Sequence, residues 1–209
     1  VQKNLKQWVI KITRYADRLI EDLDSVDYLE KIKIQQKEWI GRSYGTEADF
    51  KIEEAQDIVR VFTTRIDTVF GVTALVVAPE HQIIEKLKQK IKNLKAVEDY
   101  IKASKEKSEF ERTKLEKEKT GVRLEGVFAL NPANNEKVPV WVGDYVVGAY
   151  GGGAVMVVPA HDKRDYEFAK KYGLEIREVV KGGDISKEAF VDYGTLTNSG
   201  DFNGLASRE

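Results

Sequence analysis

Apolar residues recur at three- and four-residue intervals through Trp8, Ile12, Tyr15, Leu19 and Leu23, with Lys, Arg and Asp between them. This spacing predicts an amphipathic helix over residues 5–23. A second helix is expected from Tyr28 to Glu38. The period then changes, and residues 48–52 and 58–62 alternate like strands. The boundary between a helical segment and a β-rich domain therefore belongs near Gly41 to Gly45, dividing the chain into residues 1–43 and 44–209. Val69 to Ala78 is apolar and β-branched, and stops at Pro79-Glu80, where a helix can begin and run through Leu87 and Ile91. From Glu85 to Lys119, dense Lys and Glu with sparse apolar residues at helical intervals predict surface helices that serve mostly as scaffold.

The β pattern returns after Gly121, with strands predicted at 122–124, 127–130, 138–142 and 146–147 and a turn over Asn131 to Asn135. Ala154 to Val158 is an uninterrupted apolar run, suited to a strand buried on both faces. Pro159-Ala160-His161-Asp162 turns the chain off that strand into a helix that starts at Asp162, runs to Tyr172 and stops at Gly173. These elements make an α/β (α+β) chain with a mixed β-sheet or β-barrel core and surrounding helices.

Composition narrows the classes. The 209 residues, 42% of them hydrophobic, suffice for one globular domain with a small appendage. Charge is dense but balanced, 34 Lys+Arg against 35 Asp+Glu, so no global basic field exists and any RNA contact must be local. Cysteine is absent and the two histidines, His81 and His161, stand far apart, so neither disulfides nor a metal site is expected. No apolar run approaches the roughly 18 residues needed to cross a bilayer, and the amino-terminal residues lack the apolar core of a signal peptide. A soluble, cytoplasmic protein with no membrane partner is the expectation.

Candidate chemistry sits in two segments. In Thr63-Thr64-Arg65-Ile66-Asp67-Thr68 the hydroxyls follow a strand and can serve a ribose or an ester, or simply express β propensity and turn chemistry. In the second segment Asp162 and Asp165 share a helix face near a sheet edge. They either clamp a cationic group, or Asp162 caps the helix while Asp165 bonds Arg164 or solvent. Gly151-Gly152-Gly153 permits close approach to a phosphate or ribose, or makes a flexible turn. No mononucleotide-binding glycine motif is present. His81 is read as the opening of a surface helix.

Val61 to His81, VFTTRIDTVFGVTALVVAPEH, resembles the TTRPDTLFGVT…APEH pattern of leucyl-tRNA synthetase, and Gly153 to Leu174, GAVMVVPAHDKRDYEFAKKYGL, resembles its GAVMAVPAHDxRDxEFAKKYGL. The flanks agree. Leu5 to Leu23 and Trp39-Ile40-Gly41-Arg42-Ser43 are similar to the segments leading from that family's synthetic core into its editing domain, and TNSGDFNGL at Thr197 to Leu205 is similar to its VNSGEFDGL. The valine and isoleucine enzymes share this editing fold; Asp67 and Phe70-Gly71-Val72 favour the leucine enzyme. In two departures Ile66 stands for the usual Pro and Gly152 for the Thr of GTGAVM.

The resemblance implies an editing domain that hydrolyses the ester of tRNA-Leu mischarged with isoleucine, methionine or norvaline. Asp165, Thr63 and Thr64 would be catalytic. Asp165 would hold the substrate α-ammonium, and Thr68 would block leucine. Met156 and Val158 would line the side-chain pocket. The threonines, with Arg65 and Asp67 behind them, would position ribose and ester, with Tyr150 on the adenosine side. His161 would be either a general base or a turn scaffold. Its partners would be the 3′-terminal adenosine of charged tRNA-Leu and the remainder of the synthetase. Editing would need no cofactor; ATP and Mg belong to the parent's synthetic site, whose HIGH and KMSKS elements this sequence lacks. The alternatives are an editing domain of the valyl or isoleucyl enzyme and a non-catalytic tRNA-binding module.

Overall fold

In the computed structural model, which describes residues 5–107, 111–112, 119–148 and 151–208, the chain separates after Tyr44 into two units. In the first, the helix predicted over residues 5–23 forms only in its second half. Residues 5–11 are not helical, a 3-10 turn spans Ile12–Tyr15, and α1 covers Ala16–Glu21. The physical reason is burial: Leu23 is covered, but Trp8, Ile12, Tyr15 and Leu19 are exposed, and short helices draw most of their stability from a packed apolar face. The second helix, α2 (Glu30–Ile40), stops where Gly41 takes the left-handed conformation at φ 64°.

The second unit is built on a hairpin of β1 (Thr46–Ile52) and β2 (Ile58–Thr63), in which Phe50 faces Val59 across the register. Then come β3 (Ala74–Val77), α3 (Gln82–Lys86) and α4 (Leu94–Lys105), followed by β4 (Gly121–Leu130) and β5 (Lys137–Gly143). β6 (Ala154–Val157) leads to α5 (Lys163–Tyr172), and a small ribbon of β7 (Val180–Lys181) and β8 (Thr195–Leu196) closes the described chain. Six strands form one sheet in the order β2-β1-β4-β5-β3-β6. Among the described residues only the β3–β5 pairing is parallel, and the edge strands β2 and β6 approach each other, which gives the sheet its barrel-like curl.

Alternation decides which side chains meet. On β6, Ala154 and Met156, together with Val158, join the inner cluster of Phe50, Val59, Val61, Leu75 and Leu124. Val155 and Val157 turn to the opposite face, where Trp141 and Phe168 of α5 cover them. β6 is thus buried on both sides, as its apolar run requires.

Several boundaries differ from the sequence reading. Val69 to Ala78 is not one extended stretch, because a 3-10 turn over Ile66–Gly71 precedes β3. The strands predicted at 122–124 and 127–130 are one, β4, with its register shifted between Arg123 and Phe128. Val146-Val147 is not a strand. α3 begins three residues beyond Pro79, because the His81 ring accepts the Ile83 N–H at Nδ1 (3.1 Å) and caps it. The stretch read as scaffold also sends inward Val97, Ser104 and Arg112, all buried.

Candidate active site

β2 ends at Thr63, whose hydroxyl accepts the Arg65 N–H at 3.0 Å and bends the chain out of the sheet. Thr64 is exposed at this bend. The 3-10 turn that follows is fixed at Thr68, which is 2% exposed and donates its hydroxyl to the Arg65 carbonyl at 2.8 Å. Ile66 occupies the first position of the turn, where a proline is also tolerated, and it is partly exposed.

Arg65 is saturated by protein. Its Nε and Nη2 bind Asp67 in a bidentate pair, at 3.0 and 2.9 Å, and Nη1 donates to the Val191 carbonyl at 2.7 Å. The guanidinium also lies 4.5 Å from the centre of the Tyr193 ring. Arg65 and Asp67 therefore tie the threonine turn to the chain after α5.

The second half of the site hangs on α5. Asp162 caps this helix, accepting the N–H groups of Arg164 (2.7 Å) and Asp165 (3.2 Å), and pairs with the Arg164 guanidinium. Asp162 is thus the capping residue of α5. Asp165 is buried, and its carboxylate accepts the Val158 N–H at 2.8 Å. Burial, and then the neighbouring charge of Asp162, push its carboxyl up to about 8. A buried carboxyl so shifted, beside a strand end, marks a candidate functional group.

Contacts through Val158 join the two halves. Its N–H holds Asp165, and its Cγ1 lies 3.2 Å from the point where a β-carbon on Gly71 would sit, in the same turn as Thr68. Thr73 N–H donates to the Val157 carbonyl at 3.0 Å. Met156 and Val158 share the inner cluster with Val69 and Val72. Val158 thus links the Asp165 carboxyl, through its N–H, to the turn over Ile66–Gly71, through its side chain.

The His161 ring is held at both nitrogens. Nδ1 donates to the Phe190 carbonyl at 2.9 Å, and Nε2 accepts the N–H groups of Val179 and Val180 at 3.0 and 3.1 Å. Burial holds the ring below its ordinary value and therefore neutral. Both ring nitrogens are thus engaged by backbone groups, which ties the turn after β6 to residues 179–190. Gly152 sits at φ 74°, where the Thr of related sequences would be strained. Tyr150 lies outside the described residues. Sequence reasoning missed Tyr145, whose buried hydroxyl has no hydrogen-bond partner among the described residues and is raised by burial and by the charge of Asp165. A groove of about 470 Å³ between α3 and α4 is lined by none of these residues. Among the described residues no group of His, Cys, Asp and Glu could hold a metal, and no helix is long and apolar enough to cross a membrane.

The family profile described as leucyl-tRNA synthetase, editing domain, matches residues 37–209. The chain belongs to this family. The leucine–tRNA ligase of Alkaliphilus oremlandii (strain OhILAs) is 51% identical over 211 residues, covering all of this chain and 26% of the relative. The chain spans about a quarter of the length of that relative. Among solved structures, the ternary complex of Agrobacterium radiobacter K84 agnB2 LeuRS with tRNA and LeuAMS superposes with a TM-score of 0.70 at 36% identity, covering 87% of this chain and 22% of that one. These matches favour the leucyl editing domain over the valyl and isoleucyl alternatives.

Proposed function

We propose that this editing domain hydrolyses the ester linking a noncognate amino acid to the 3′-terminal adenosine of tRNA-Leu, clearing isoleucine, methionine and norvaline. The observation that carries the reading is Asp165, a buried carboxylate with a single backbone donor, beside the turn that carries Thr68. The carboxyl, protonated at neutral pH in the free domain, gives up its proton when the substrate α-ammonium arrives to pair with it. Thr68, packed and immobile, occupies the space that the leucine side chain would need, while Met156 and Val158 form the apolar wall. A synthetic pocket separates aliphatic side chains differing by one methylene by only about 1–3 kcal/mol, so a second sieve is required.

The Thr63 and Thr64 hydroxyls lie at the exposed bend where ribose and ester carbonyl enter, and they stabilise the charge that develops on the carbonyl oxygen. Water attacks the carbonyl carbon, the bond to the ribose oxygen breaks, and the proton lost by the water ends on that oxygen. An aminoacyl ester is already activated, so positioning and oxyanion stabilisation suffice; the adjacent ribose hydroxyl relays the proton in place of His161. Editing so described calls on no cofactor; ATP and Mg serve the synthetic site of a longer, cytoplasmic ligase that delivers the tRNA. Incubation with Ile-tRNA-Leu and Leu-tRNA-Leu side by side tests the reading: release of isoleucine alone supports it, and binding of both esters without turnover makes the domain a tRNA-binding module.

A further inference from the structure

Behind the glycine-rich segment lies an ion pair that the chemistry above does not use. Glu80 follows the end of β3, and its Oε1 accepts the Gly148 N–H at 2.9 Å. Arg112, from the Lys/Glu-rich stretch, donates from Nη2 to both Glu80 oxygens, at 3.2 and 3.3 Å. The same guanidinium donates from Nε to the Asp144 carbonyl and from Nη2 to the Val146 carbonyl, both at 2.7 Å, with its side chain 8% exposed. A rigid planar fork with these partners locks the turn after β5 onto the turn after β3.

Two backbone contacts carry the lock to β6. Ala78 donates its N–H to the Gly153 carbonyl at 2.8 Å. A β-carbon on Gly153 would sit 3.1 Å from Gly148 Cα, and one on Gly148 would sit 2.9 Å from Glu80 Cγ. Gly148 and Gly153 therefore stack closely over the turn from Ala78 to His81. Gly153 is the last residue before β6, the strand that carries Met156 and leads to the Val158 N–H that holds Asp165.

We propose that the Glu80–Arg112 pair is a positioning element of the editing site, setting where β6, and with it Met156, Val158 and the Asp165 carboxylate, stands against Thr63 and Thr68. The inference rests on the editing reading above. Both side chains act through the backbone of Gly148 and Gly153 and touch no substrate. A misplacement of about 1 Å at a reacting centre costs on the order of 100-fold in rate, so a small shift of β6 is readable.

The test compares Glu80→Gln, Arg112→Gln, Arg112→Lys and the double Gln variant, in the full-length ligase, for hydrolysis of Ile-tRNA-Leu, with thermal unfolding in parallel. In each single Gln variant kcat falls about tenfold or more while KM stays within about threefold, and the double variant is no worse than the poorer single one. Lys at position 112 keeps the charge without the fork and recovers less than about a third of the lost rate. Folded variants with kcat within twofold of the unaltered enzyme overturn the proposal. So does a loss confined to KM, or one that disappears once the unfolded fraction is subtracted. An unaltered enzyme that leaves Ile-tRNA-Leu intact refutes the editing reading itself, and the positioning role with it.

Discussion

Replacing Asp165 by Asn separates what the site needs from what the fold prefers. The carboxyl titrates at about 8 in the folded domain against an ordinary 3.8, because burial and Asp162 disfavour its charge. Between those values the folded state holds a proton that the unfolded chain has released. Stability from this group is therefore full below the unfolded value and drains away as pH rises toward the folded one, at about 1.4 kcal/mol per pH unit. At pH 7 the accumulated penalty is on the order of 4 kcal/mol, a large share of a domain's total stability. Asn still accepts the Val158 N–H and has nothing to ionise. Urea unfolding of both proteins from pH 4 to pH 8.5 is expected to converge at the acid end and to favour Asn increasingly toward alkali, by about 1–4 kcal/mol once the unpartnered amide N–H₂ is discounted. Activity moves the other way: losing one partner of a desolvated charge pair costs about 2–5 kcal/mol, so hydrolysis of Ile-tRNA-Leu falls about 30-fold or more. A stability difference that stays flat across this range, or widens toward acid, refutes the assignment of Asp165 as a proton-holding buried acid. The position would then need another explanation for its lost activity.

Truncation of Thr68 to Ala opens space beside Met156 and Val158; Leu-tRNA-Leu becomes a substrate, and an unchanged half-life of the leucyl ester rules Thr68 out as the block. Replacing His161 by Gln leaves one or both of the Val179 and Val180 N–H groups unpaired, costing about 1–3 kcal/mol per group in unfolding experiments, while kcat per folded molecule stays within about twofold; a collapse of kcat in folded protein restores the general-base role. Because burial lowers the His161 value, the unfolded chain takes up a proton first as pH falls below about 6.5, and stability contributed by the neutral ring is lost in that acid window, which His161→Gln abolishes. Gly152→Thr forces a β-branched residue to positive φ and lowers stability by about 1–2 kcal/mol, read as a drop in melting temperature.

Legibility followed the range of the interactions. Local signals were readable: Gly41 and Gly173 stop their helices, His81 opens one, and the apolar run at Ala154 forms a strand covered on both faces. The amino-terminal helix was misjudged because periodicity reports an apolar face and not whether anything covers it; Trp8 and Ile12 are bare. Within the site, Asp162 and Asp165 lie on one helical turn, and spacing alone left open whether they clamp a cation together or Asp162 caps the helix. The structure gives the cap to Asp162, which meets helix N–H groups, while Asp165 meets a strand end and not the Arg164 or solvent of the alternative reading. The role of His161 was illegible because its partners lie 18 to 29 residues away. Arg112 was hidden by composition, one cation among many in a stretch where most are solvated.

The bonds from Arg65 to Val191, and from His161 to Val179, Val180 and Phe190, bear on the life of the nascent chain. Synthesis proceeds from the amino terminus at about 5–20 residues per second, so the sheet can assemble on the ribosome while these partners are still in the exit tunnel. The threonine turn, made early, waits for carbonyls encoded 126 residues downstream. The tie between the threonine turn and the chain after α5 is therefore completed late in translation, after the sheet that bears the turn has already set.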